Sequence, residues 1–218
     1  MAKRPHEIDT PEGRTRALRQ FDWQDHDVLR RKWHNFEAVA DGVYRSNQPS
    51  PDRFAAYAEM GIKTILNLRG GLKEPFYLFE KEACDALGLK IVTVGLSARK
   101  APQKIRLVQL FEAFETIEKP FLIHCKSGAD RTGLASAFYL LAYSDADDDT
   151  VRAQLSFRYL HIRKSSTGIL DYVLETYLAR RAQDPIDIRT WVETEYDEDE
   201  TKAGYAAMKA KQKLWEGW

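Results

Sequence analysis

The residues of this chain best suited to covalent chemistry at neutral pH fall in one ten-residue run, His124-Cys125-Lys126-Ser127-Gly128-Ala129-Asp130-Arg131-Thr132-Gly133. An apolar strand pattern precedes the run and an apolar helix pattern follows it. A strand-to-helix turn aims successive backbone N–H groups and the positive end of the helix dipole into one concavity, which suits a phosphate. At the start of that turn the Cys125 thiolate is stabilised by the same field, so its pKa falls below the ~8.5 of an ordinary thiol and it becomes a nucleophile. Arg131, six positions on, offers a planar fork that grips two phosphoryl oxygens at once. The backbone of Lys126, Ser127, Gly128 and Ala129 supplies the cradle, with Gly128 permitting the tight path and Gly133 close packing of the helix. The Thr132 hydroxyl is placed to donate to the thiolate, and His124 reads as a hydrogen-bonding support for the loop.

The elements that must hold this loop alternate. Phe36–Val39 and Val43–Arg45 flank Asp41-Gly42, a hairpin signal. Ser50-Pro51 opens a short helix that ends before Gly61. A strand over Ile62–Leu68 is broken by Gly70-Gly71, and Pro75 opens a helix with Phe76, Phe79, Ala83 and Leu87 on one face, closed by Gly88. Lys90–Val94 reads as a strand, Gln103–Ile117 as a helix, and Pro120–His124 as a buried strand. Thr132–Tyr143 is apolar almost all round, and Thr150–Leu160 and Gly168–Ala182 read as two further helices. This pattern predicts a single α/β domain with a central, mostly parallel sheet flanked by helices. The expected organisation is an N-terminal arm over 1–33, a phosphate-chemistry domain over 34–183, and an acidic C-terminal extension over 184–218 with a helix from Thr201 to Trp215 docked through Tyr205, Met208 and Trp215. Pro185 marks the expected end of the packed region. The acidic run Asp145, Asp147, Asp148 and Asp149 reads as the start of a helix rather than a metal site.

Composition narrows the function classes. The 218 residues carry 33 basic and 33 acidic side chains, so no basic excess points to nucleic acid. With 44% hydrophobic and 30% charged residues the chain is neither disordered nor collagen-like. The basic cluster Arg30, Arg31 and Lys32 reads as a solvated face. Cys84 and Cys125 are too few for a disulfide framework or a zinc knuckle, and Cys84, on an apolar helix face, reads as core. No stretch has the make-up of a signal peptide or approaches the ~20 apolar residues of a membrane span. The expectation is a cytoplasmic protein, with room for peripheral membrane contact and nothing said of its oligomeric state.

Cys, five residues, Arg, with His before and Thr-Gly after, resembles the signature of the protein-tyrosine/dual-specificity phosphatase superfamily. Val43-Tyr44-Arg45-Ser46-Asn47-Gln48-Pro49 and Gly61-Ile62-Lys63-Thr64-Ile65-Leu66-Asn67-Leu68-Arg69 are similar to segments of its atypical bacterial, fungal and plant members, so the resemblance spans residues 35 to 180. It implies a two-step reaction through a cysteinyl-phosphate, without metal or cofactor, on a phosphoprotein, a phosphoinositide or a soluble inositol phosphate.

The sequence departs from the family in one respect. Many members carry a general-acid Asp on a mobile loop whose counterpart here, Gly95–Pro102, contains no Asp or Glu. Either another group protonates the leaving oxygen or the leaving group needs little help. Asp130 is the candidate acid, since the Asp-Arg-Thr ending resembles subfamilies that act on phosphoinositides; a helix N-cap is its other reading. Lys126 beside the nucleophile resembles the lipid and inositol-phosphate phosphatases. Arg69, Arg99 and Lys100 are expected to gather with it at the mouth of the site, because loops at the carboxyl ends of parallel strands converge. Two other classes compete: a phosphate-recognition module that scarcely turns over, and a rhodanese-type sulfur transferase.

Overall fold

The computed structural model describes residues 8–216, with side chains described through residue 211. Contacts divide the chain into two compact units, one running through Gly95 and taking in Ile117–Gly128, the other comprising Leu96–Thr116 and the chain from Ala129 onward.

The first unit begins with α1 (Pro11–Arg19), in which Thr10 caps Gly13 N–H at 3.1 Å, and α2 (Asp27–Arg30). This arm packs Ala17 and Phe21 against Phe79. Arg30, expected on a solvated face, is instead buried, where it binds Asp25 at 2.8 Å and Asp27 at 3.3 Å. Charge pairing within the arm is what allows that burial. Strands β1 (Glu37–Ala40) and β2 (Val43–Ser46) form the expected hairpin, with the left-handed φ of +68° at Gly42. Then follow α3 (Pro51–Glu59), β3 (Thr64–Asn67), α4 (Pro75–Leu87), β4 (Lys90–Thr93) and, after a stretch of the second unit, β5 (Phe121–His124).

The sheet order is β1-β2-β5-β3-β4, with only β1 antiparallel. On one face Ile65 and Leu122 join Phe54 and Tyr57 of α3 and Cys84 of α4 in a core cluster. On the other face Leu66 and Ile123 are equally buried, as a parallel sheet requires. The fold is thus α/β, a mostly parallel sheet flanked by helices. In α4 Phe79 and Cys84 are buried as the sequence predicts, whereas Leu87 is exposed and Glu80 is buried. The register places Ser46, His124 and Asn67 side by side at the carboxyl end of the sheet, so Cys125 is the first residue beyond it.

The second unit holds α5 (Lys104–Thr116), α6 (Asp130–Tyr143), α7 (Asp148–Ala153), α8 (Ile169–Gln183), α9 (Ile188–Thr194) and α10 (Glu198–Glu216). Helix α6 is buried from Thr132 through Leu140, and Phe111 of α5 stacks on its Phe138 at 5.9 Å. Asp147 caps α7, as the acidic run predicts. That helix ends at Ala153, short of the expected Leu160, and a single 3₁₀ turn at Phe157–Tyr159 follows; Ser156 has extended backbone and Leu160 a left-handed φ of +65°. Nor does Pro185 close the packed region: Ile188, Trp191 and Val192 of α9 are buried, and the Tyr196 hydroxyl donates to Pro102 O at 2.6 Å. Helix α10 docks through Tyr205, whose ring lies 5.8 Å from that of Tyr172 on α8. The expected Trp215 contact lies outside the described side chains. No helix among the described residues is long and apolar enough to cross a membrane.

A Cβ at Gly133 would sit 2.5 Å from Gln154 O and 2.8 Å from the Leu155 side chain. Gly133→Ala is therefore expected to destabilise the protein by about 1–3 kcal/mol, measured by urea unfolding; an unchanged midpoint would show that the α6–α7 approach is not this close.

Candidate active site

The loop after β5 is shaped by donors that lie behind it. His124 Nδ1 faces Cys125 O at 3.2 Å, Gln48 N–H donates to Lys126 O at 3.1 Å, Asn35 Nδ2 to Ser127 O at 2.8 Å, and Arg45 Nη2 to Gly128 O at 2.7 Å. Four successive carbonyls are thus held by the surrounding scaffold. In a trans peptide the N–H points opposite to the C=O of the same unit, so the N–H groups of Lys126, Ser127, Gly128 and Ala129 turn away from those donors and together form an anion-binding nest. Gly128 makes the turn at φ +72°, and a Cβ there would lie 2.7 Å from the backbone of Ser46 and Asn47. Only glycine fits.

Beneath the loop lies a buried polar network. Glu80 accepts from Gln48 Nε2 at 2.8 Å and Asn67 Nδ2 at 2.9 Å, and faces His124 Nε2 at 2.9 Å. The imidazole is thereby fixed at both nitrogens, which gives His124 a supporting position under Cys125. Cys125 itself is buried. Cys84, by contrast, packs in the apolar cluster, where burial pushes its thiol well above the ordinary range.

Of the cations expected at the mouth, Arg69 is placed differently from expectation. The Arg69 side chain, 6% exposed, is turned onto Asp25, to which it donates at 2.6 and 3.0 Å, with a third bond to Gln48 Oε1 at 3.0 Å. Its guanidinium also lies 3.5 Å from the Phe76 ring centroid. Lys126, half-exposed, is 3.3 Å from the same Asp25. Burial disfavours the Asp25 carboxylate, but the Arg69 hydrogen bonds and the charges of Arg69, Arg30 and Lys126 outweigh that and hold its pKa below the usual range. Arg99 and Lys100 are exposed on the loop before α5.

At the far end of the run, Ala129 is the N-cap residue of α6 and makes no side-chain cap. The capping role considered for Asp130 therefore falls away: Asp130 is the first helical residue, and its Oδ1 lies 2.8 Å from His161 Nδ1. His161 Nε2 lies 2.6 Å from Asp171 Oδ2. Burial opposes charge on this imidazole, but hydrogen bonds to Asp130 and Asp171, reinforced by their charges, raise its pKa to about 9. Arg131 Nε is buried and, among the described residues, has no hydrogen-bond partner. The Thr132 hydroxyl is in the same condition, so the donation to the thiolate expected of it is not made here.

Sequence reasoning missed Arg45, Asn35, Glu80, Asp25 and the His161–Asp171 pair. Arg45 carried one usable signal, a charge inside a short strand pattern. The others acquire their roles only through partners far away in the chain.

A parallel sheet, a Cys-X5-Arg loop at its carboxyl end and carbonyls drawn back from that loop define the class of cysteine-loop phosphatase folds. Residues 39–145 match the family model described as "Polymorphic toxin system, DSP-PTPase phosphatase". Over that segment, just under half of the chain, the sequence is similar to the DSP-PTPase phosphatases. Over 104 residues it is 30% identical to inositol diphosphatase DSP3 of Arabidopsis thaliana, covering 45% of this chain and 50% of that protein. The chain spans about half the length of the curated relatives it matches. The fold is shared with the core catalytic domain of PP-IP phosphatase SIW14 from S. cerevisiae, solved with citrate: TM-score 0.52, 21% identity, 70% of this chain and 96% of that one. It is also shared with P. aeruginosa TpbA in complex with pTyr: TM-score 0.51, 16% identity, 66% and 90% covered.

Two outcomes test this site. Arg45→Met leaves Gly128 O without its buried donor, so inorganic phosphate or vanadate is expected to bind about tenfold more weakly, the equivalent of ~1.4 kcal/mol; unchanged affinity in titration calorimetry would show that the nest does not depend on Arg45. The second is a pH profile. The folded state holds the His161 proton to about pH 9, whereas an unfolded chain releases it near 6.5, the ordinary value for an imidazole. The stabilisation is therefore full below about pH 6.5 and lost as pH rises through about 9. Urea unfolding across that window should show the decline, and His161→Gln should flatten it.

Proposed function

We propose that this protein is a metal-independent, cysteine-dependent phosphatase whose preferred substrates are soluble, highly phosphorylated inositols, including diphosphorylated ones. The observation that carries this reading is the loop whose four successive carbonyls are held from behind. Such a loop stabilises the extra equatorial negative charge of a phosphoryl group in transit.

In the proposed reaction the Cys125 thiolate attacks phosphorus and the P–O bond to the leaving group breaks. Arg131 and the N–H groups of Lys126 to Ala129 hold the equatorial oxygens. Asp130 gives its proton to the departing oxygen, then takes one from the water that splits the cysteinyl-phosphate, returning thiolate and inorganic phosphate. Lys126, Arg99 and Lys100 are proposed to meet the non-reacting phosphates. The absence of Asp and Glu from Gly95–Pro102 favours the diphosphate among these substrates. A phosphate leaving group, with a second pKa of about 6, departs with far less help from an acid than an alkoxide does. The names of the curated relatives agree with this preference. A cytoplasmic location completes the proposal.

The same missing acid loop motivates one competing reading, a module that binds phosphate and scarcely turns over. Release of inorganic phosphate across phosphoproteins, phosphoinositides, and mono- and diphosphorylated inositols, with Cys125→Ser as the blank, separates the two. Turnover is expected to be highest on diphosphorylated inositol and abolished in Cys125→Ser; stoichiometric binding without release would establish the module instead. Asp130→Asn is expected to lower turnover of alkyl monoesters about 100-fold while sparing diphosphates and activated aryl phosphates. Equal losses on all of them would remove Asp130 from the acid role.

A further inference from the structure

We infer that His161 is the positioning residue for Asp130, a buried bridge that fixes the proton-donating carboxyl group from behind. The inference rests on the proposed role of Asp130 and goes beyond it, since neither the loop motif nor the sequence around His161 marks this histidine.

The geometry is that of a built support. His161 is 2% exposed and lies between two carboxylates from different helices, Asp130 Oδ1 at 2.8 Å and Asp171 Oδ2 at 2.6 Å. Two carboxylates this near one another repel unless a donor stands between them, and an imidazolium donates in both directions along one plane. The ring thus consumes Oδ1 of Asp130 and leaves Oδ2 outside this contact, which selects the oxygen that carries the transferable proton. Asp130 is otherwise short of support, because it is a first-turn residue whose helix is capped by Ala129 without a side-chain bond.

The bridge is itself anchored. Asp171 sits in the first turn of α8, with Arg163 Nε 3.9 Å from its other oxygen, and Arg163 Nη2 is 3.6 Å from Glu175. Glu175 is bound in turn by Arg152 at 3.1 Å. Nearby, the Tyr205 hydroxyl of α10 donates to Ser165 O at 3.2 Å. The segment bearing His161 is pinned by its buried residues, Tyr159 and His161, while Phe157, Leu160 and Ile162 point to solvent. Burying a histidine in an otherwise exposed segment, at the end of a chain of charges reaching back to α7, is costly unless the ion pair has a task. Holding one carboxylate in one orientation is that task. Misplacing a catalytic group by a fraction of an ångström is enough to lose much of its effect.

A purely structural bridge and a positioning bridge differ in how their loss depends on the leaving group. In the full chain, His161→Ala is expected to slow hydrolysis of an alkyl phosphate about 10-fold in kcat, with KM nearly unchanged, while an activated aryl phosphate such as p-nitrophenyl phosphate is hydrolysed at close to the parent rate. The double variant with Asp130→Asn should be no slower than Asp130→Asn alone, because the bridge acts only through that carboxylate. His161→Gln, whose amide keeps one donor, should recover part of the loss. Asp171→Asn should show the same leaving-group signature more weakly, and supplies the test if His161→Ala does not fold. Equal losses on both substrates, or losses that add in the double variant, would overturn the positioning role. A leaving-group effect in Asp130→Asn but none in His161→Ala or Asp171→Asn would overturn it while keeping Asp130 as the acid. Flat behaviour in all three would remove the acid assignment itself.

Discussion

Everything the loop is proposed to do depends on where four peptide oxygens point. A run of peptide units left to itself presents carbonyls and amides to solvent without preference, and an anion would meet as much negative as positive dipole. Here His124, Gln48, Asn35 and Arg45 each face or bind one carbonyl in the sequence Cys125 to Gly128. Burying an arginine under a loop is expensive, and it persists because the guanidinium meets a carbonyl that would otherwise be orphaned in the interior. The loop's electrostatic polarity is therefore a property of the scaffold beneath it.

The same economy of partners governs the charged groups nearby. The Asp25 carboxylate collects Arg69, Arg30 and Lys126, so Arg69, which strand topology would aim at an incoming anion, already answers to a carboxylate of the N-terminal arm. Glu80 plays the corresponding part for His124, Asn67 and Gln48. Each acid satisfies several donors at once, which is the condition under which buried charge is tolerated. The arm thus belongs to the electrostatics of the site, and the positive field available to a substrate is smaller than a count of basic residues near the loop suggests.

Much of the architecture was readable because it rests on local rules. Gly42, Gly88 and Gly128 mark left-handed turns, Pro51 and Pro75 mark helix starts, and short apolar runs mark strands buried on both faces. The errors share a cause. Helix α7 stops at Ala153 because the chain turns extended at Ser156, which apolar spacing does not encode. Glu80 is buried because it meets Gln48, Asn67 and His124, while Leu87, the last residue of α4, stays exposed. Helix α9 was missed because seven residues between Pro185 and an acidic run look like linker until Trp191 and Tyr196 are seen to be buried.

By itself the sequence determined the loop and its chemistry: a cysteine, an arginine six residues on, glycines where only glycine fits, and no acid in Gly95–Pro102. These are matters of residue type and spacing along a few neighbouring positions. Tertiary structure alone decided which groups stand behind that loop, because Arg45 reaches Gly128 across 83 positions, Glu80 reaches His124 across 44, and His161 reaches Asp130 across 31. A hydrogen bond acts over about 3 Å, and what lies within that distance is fixed by the packing of whole elements, which local patterning leaves open.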